Sequence, residues 1–203
     1  AGTDARNPTP GGITRRQRQR KQQMPLDLGG GDFNDIRWMA QDRTWRADGE
    51  DVDLKQAVFD LEHIKTGWIS FAQGMAPESV WDNGAKAPRP HTDAEWKRGF
   101  EVEVYAPKTF GDEAPRTFMT SATGACMGLQ ALYVEYEEQR AGNEGKVPLC
   151  KFSGGDSIKV GKGSTSVPRL TISKWIERPD ALQNGAAAAP VEAVEEEDDD
   201  AEF

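Results

Sequence analysis

Aromatic rings and cations recur side by side along this chain. Lys65, Trp68 and Phe71 form one group, and Trp96, Lys97 and Arg98 a second. Tyr105, Lys108 and Phe110 form a third, and Lys151, Phe152, Lys159, Lys162 and Arg169 extend the pattern. Rings stack on unpaired bases of any identity at ~1–3 kcal/mol each, while cations track phosphates. The combination predicts an interface for a single strand of nucleic acid, held without base reading. Any one of these rings is more often core than contact, so the expectation rests on the set. The candidate DNA-binding residues are Lys65, Trp68, Phe71, Trp96, Lys97, Arg98, Tyr105, Lys108, Lys151, Lys159 and Lys162.

The two ends of the chain carry opposite charge. Arg15, Arg16, Arg18, Arg20 and Lys21 make a basic run near the start. Glu192, Glu195, Glu196, Glu197, Asp198, Asp199, Asp200 and Glu202 crowd the end, which closes on Phe203. The net charge of −9 comes from 34 acids against 25 Lys and Arg, so without those last acids the body is nearly neutral. Like charges repel and keep such a tail extended. The tail also imitates a phosphate backbone crudely. Its terminal ring and carboxylate suit capture by a small basic pocket, which makes Glu195, Glu196, Glu197, Asp198, Asp199, Asp200, Glu202 and Phe203 the candidate partner-binding residues.

The tail resembles that of bacterial and bacteriophage single-stranded DNA-binding proteins, which end in acidic runs followed by Phe. Val147-Pro148-Leu149 and the segment from Val167 to Pro179, with Lys174-Trp175-Ile176 inside it, are similar to the end of a phage replication-protein family with an OB core. The resemblance implies an OB fold, coating of single strands, and recruitment of replication proteins such as a polymerase or helicase through the tail. The Pro that cellular homologues carry before the last Phe is missing here, which favours a phage partner over a host one.

Signals for catalysis are nearly absent. His63 and His91 are the only histidines; the first sits among apolar residues and the second in a Pro-rich loop. Gly161-Lys162-Gly163-Ser164-Thr165 lacks the spacing of a phosphate loop and leads into a strand, so it reads as a hairpin turn. Asp48 to Asp53 resembles a calcium loop only in composition, with its Gly misplaced. Cys126 and Cys150 lack metal spacing and read as reduced thiols. The expectation is a non-enzymatic protein without cofactor or metal, in the cytoplasm (the host's, if phage-encoded), with homodimerisation open to it. The alternative is a viral structural or assembly protein whose arms wrap neighbouring subunits. No stretch of the sequence is long and apolar enough to span a bilayer.

The elements that must position these residues follow from periodicity. Ala57 to Phe71 is rich in β-branched and aromatic residues, with Gly67 placed for a bulge. Phe100, Val102 and Val104 alternate with Glu101, Glu103 and Tyr105 in the clearest strand. From Thr117 to Arg140 the period changes to that of a helix, with Thr120 or Ser121 as its cap. Strands are then expected over Val147–Phe152, Ser157–Val160 and Val167–Ile176, separated by turns at Gly154-Gly155-Asp156 and Gly161 to Ser164. The fold expected is mainly β with one helix: an OB-like five-stranded barrel over 51–180. A flexible basic arm over 1–50 and a disordered acidic tail over 181–203 flank it.

Overall fold

The alternation around Val102 builds the central strand of the domain. The computed structural model describes residues 34–72 and 76–183. Strand β7 (Trp96–Tyr105) buries Phe100, Val102 and Val104 on one face. One edge of β7 pairs with β8 (Arg116–Thr120), Val102 opposite Phe118. Its other edge is shared by β4 (Gln56–Phe59) and β5 (Lys65–Ser70). These two are one strand broken by a turn of 3-10 helix over Leu61–His63, as Asp60 bends the chain out of line. Phe59 pairs with Val104 and Lys65 with Glu101, so the turn lets the longer segment of β4–β5 stand against a shorter one of β7. The strand expected over Ala57–Phe71 is therefore present in two pieces.

Beyond β5 lies the short edge strand β6 (Glu78–Trp81). Beyond β4 come β9 (Lys146–Val160) and β10 (Gly163–Glu177), a long antiparallel hairpin. The sheet runs β10-β9-β4-β7-β5-β6, with β8 also on β7. Among the described residues no pairing joins β8 to β10, so this seven-stranded sheet does not close into the five-stranded barrel expected. Gly154-Gly155-Asp156 is not a turn either. Gly154 adopts a φ of 95°, and the register shifts between Pro168 and Leu170 opposite it. That is a bulge inside one continuous strand, which bends the hairpin without reversing it.

The helix is shorter than its periodicity suggests. Phe118 belongs to β8, and α2 runs over Thr123–Gln139 after the small turn α1 (Pro107–Phe110). Neither Thr120 nor Ser121 is its cap; Ala122 holds that position, and the Thr120 hydroxyl accepts from the Ala122 amide at 3.1 Å. Gly124 and Gly128 let α2 lie directly on β10. A methyl group on either would stand 2.3 Å from the Ser166 carbonyl oxygen or 2.6 Å from that of Pro168. Glu135 on the same helix accepts the Ile172 amide of β10 with both carboxylate oxygens at 3.2 Å.

The largest correction concerns the N-terminal arm. Residues from 36 onward are not part of a loose segment: β1 (Ile36–Met39), β2 (Thr44–Ala47) and β3 (Glu50–Val52) form an antiparallel sheet. Trp45, 1% exposed, is the hub of an aromatic cluster, with Trp38, Phe118 and Phe152 at centroid distances of 5.3, 5.2 and 5.9 Å. The sheet is tied to both flanks of the open seam. The Thr117 amide of β8 donates to Asn34, and the Trp38 indole donates to Ser166 of β10. Buried Arg116 reaches Asp48 in the β2–β3 turn at 2.8 Å. At the other end the fold passes residue 180: Leu182 is buried with Val58 and Val147 in a second, smaller core. The basic run Arg15–Lys21 and the acidic tail to Phe203 lie outside the described residues. No helix among the described residues is long and apolar enough to cross a membrane.

Candidate nucleic-acid interface

The antiparallel register of β5 and β7 sets Trp68 directly across from Arg98. Cross-strand partners share a face, so the Arg98 guanidinium reaches the indole, 5.5 Å from its centroid. The loop after β6 completes the arrangement. Gly84, at a φ of 68°, turns the chain back, and the Trp68 indole N–H donates to the Ala87 carbonyl at 2.9 Å. This brings Arg89 over the same ring, at 5.9 Å.

Asp82 fastens the arrangement. It accepts both terminal nitrogens of Arg98, the Thr66 hydroxyl at 2.7 Å and the Ala87 amide at 2.8 Å. Arg98 first, then the Ala87 amide and Thr66, hold its carboxyl well below the usual carboxylate range. The result is a half-buried ring flanked by two guanidiniums, one paired and one exposed without a carboxylate partner among the described residues. Phe71, 52% exposed, is the first residue beyond the end of the β5–β7 ladder. An open groove of about 530 Å³ adjoins the Arg98 side. Thr66, Arg98 and Phe100 line it from the sheet, and Cys126, Leu129 and Tyr133 from α2.

The other expected residues are spread over the domain. Trp96 is 6% exposed and donates its indole N–H to the Thr92 hydroxyl; it fills the core and presents no free face to a base. Lys65 pairs with Glu101 at 2.8 Å, and Lys97 with Glu95 at 2.9 Å. Tyr105 donates its hydroxyl to Glu113 and packs beside the second core. Lys108 is exposed on α1. Lys151 lies along β9, while Lys159 and Lys162 flank the tip of the β9–β10 hairpin, all exposed. No ion pair among the described residues engages Lys108, Lys151, Lys159 or Lys162. Arg89 was not among the expected residues. It sits in a Pro-rich loop, and nothing in its local sequence points toward Trp68.

One group of metal-ligand types occurs among the described residues: Asp60, Glu62 and His63, with ligand atoms within 4.8 Å of one another. Arg178 bridges both carboxylates, and His63 Nδ1 lies 3.0 Å from Asp60. The chain supplies its own counter-charge there, so the cluster works as a tie between the 3-10 turn and the end of β10. Neither cysteine offers a ready thiolate. Burial pushes the Cys150 thiol up to about 12 and raises that of Cys126 as well.

No family model matches the chain, and no curated protein or solved structure matches it either.

Proposed function

We propose that this protein binds single-stranded DNA, without catalysis, through an open OB-like module. The observation that carries the proposal is the Trp68 platform with Arg89 and Arg98 above it. The order of pairing supports the fold assignment. A split first strand, β4–β5, is shared between β7 and β9. The β7–β8 pair, helix α2 and the β9–β10 hairpin follow in that order. OB modules are partly open five-stranded Greek keys that bind oligonucleotides along strands two and three and through the loops after strands one and four. The platform stands at the root of the first of those loops. Lys159 and Lys162 stand on the second.

In this reading the β1–β3 sheet fills the gap where a closed barrel would pair its third and fifth strands. Affinity comes from stacking and from cations on the loops, since Glu101 and Glu103 keep the face of β7 from being basic. The biological setting we propose is phage DNA replication or recombination, in the host cytoplasm. There the acidic tail ending in Phe203 recruits replication proteins.

Titration of labelled oligo-dT at several salt concentrations tests the proposal. Binding should be tight at low salt, with log K falling against log salt by about 0.7 per phosphate neutralised. Absence of binding at micromolar protein, or an affinity indifferent to salt, would overturn it.

A further inference from the structure

We infer that Asp82 is a resident substitute for a DNA phosphate, exchanged when a strand reaches the Trp68 platform. The inference rests on the nucleic-acid reading above and concerns how that same site is regulated.

A guanidinium fork accepts a carboxylate and a phosphate with the same two parallel N–H donors. Asp82 already occupies the fork of Arg98 in this way. The pair is only partly shielded, with side-chain exposures of 33% for Arg98 and 18% for Asp82, so an incoming anion has access to it.

Exchange does not strand either group. Asp82 keeps two further donors, the Thr66 hydroxyl and the Ala87 amide, once the Arg98 fork releases it. Its carboxylate stays hydrogen-bonded and the loop stays fastened to β5. Arg98 keeps its seat over the Trp68 ring, which needs the cation but not the acid. An ion pair that held the loop alone would lack these fallback donors. The free protein thus carries a neutralised clamp, and a strand that brings a phosphate beside a stacked base opens it. A small anion without a base has no stacking energy to add and leaves the clamp closed. Asp82 is accordingly a positioning residue that sets the threshold for binding.

The test uses the full chain with labelled oligo-dT over a series of salt concentrations. Wild type, Asp82→Asn and Arg98→Gln are compared, each with its thermal unfolding midpoint. Exchange predicts that Arg98→Gln flattens the salt slope by about 0.7, one phosphate contact. It predicts that Asp82→Asn binds about two- to fivefold tighter, in the range of an exposed ion pair, at unchanged slope. The same phosphate is contacted, but nothing competes for it. If Arg98 instead stays on Asp82 in the complex, Arg98→Gln leaves the slope unchanged and Asp82→Asn steepens it. Either of those results overturns the inference, as does weaker binding by a fully folded Asp82→Asn. Should one variant fail to fold, the slope of the other decides. Arg98→Lys, which keeps the charge, should keep the slope. A wild-type chain that does not bind oligo-dT takes down the nucleic-acid reading itself. Binding with the wrong slopes takes down the exchange alone.

Discussion

The Trp38 indole nitrogen donates to the Ser166 carbonyl at 2.9 Å, joining residues 128 positions apart. The bond seals the open seam of the sheet on its β10 side, where a free strand edge would otherwise show an unpaired carbonyl. The neighbouring ring makes the same region a core: Trp45 touches aromatic residues from β1, β4, β8 and β9.

Trp45→Ala should therefore destabilise the whole domain by ~3–5 kcal/mol, the usual cost of emptying a large buried aromatic site. Trp45→Phe should cost less, because the buried indole N–H has no acceptor among the described residues. Chemical denaturation of both variants checks this. A Trp45→Ala protein as stable as wild type would mean that the β1–β3 sheet is not part of the core.

Two tryptophans of the expected interface should behave in opposite ways. Trp68→Ala should weaken oligo-dT binding by ~1–3 kcal/mol with little change in the unfolding midpoint. Trp96→Ala, which empties a core site, should lower stability first. Paired binding and melting curves separate the two. Equal binding losses at equal stability would put both rings in the interface.

Gly128→Ala places a methyl group against the Pro168 carbonyl and ring, at 2.6 and 2.7 Å. Both are backbone-fixed, so the helix must lift from β10. The expected loss is ~1–3 kcal/mol, typical of overpacking, read from urea unfolding. Ala is otherwise the better helix former, so an unchanged or raised stability would show that α2 does not lie this close.

Glu103 gives a pH dependence whose sign can be worked out. Burial raises its carboxyl above the ordinary value of 4.5, while the hydrogen bond from the Thr117 hydroxyl works against the rise. The folded state then binds the proton more tightly than the unfolded state. Its contribution is fully present below about 4.5 and is lost as pH rises through the folded value. Glu103→Gln, which still accepts from Thr117, should be more stable than wild type at neutral pH and equal to it near pH 4. Melting curves at both values test this; a constant difference across the range would remove the titration as its cause.

The Cys150 thiol, pushed up to about 12 by burial, should react with a disulfide reagent only as the protein unfolds. In a Cys126→Ser background, labelling at pH 8 should follow the unfolding rate. Prompt labelling of the folded protein would place Cys150 at the surface.

Local pattern determined much of this protein. The alternation in Phe100–Tyr105 identified β7, and the three- and four-residue spacing of Leu129, Leu132 and Tyr136 identified α2, because side-chain period follows directly from backbone geometry. The ring-and-cation grouping also led to Trp68 and Arg98. Tertiary structure decided what period cannot carry. Charges interleave Trp38 and Trp45, and no local period shows what their rings pack against; only partners distant in the chain, Phe118, Phe152 and Ser166, bury them. Gly154 reads locally as a turn, yet cross-strand pairing with β10 makes it a bulge. Trp96 stands beside Lys97 in sequence but faces inward while Lys97 is exposed, since adjacent residues on a strand point to opposite sides. Arg89 reaches Trp68 only because Asp82 and the Ala87 backbone fold the loop onto β5. Packing partners far apart in the chain settle burial, and burial separates a ring that can meet a base from one that holds the core.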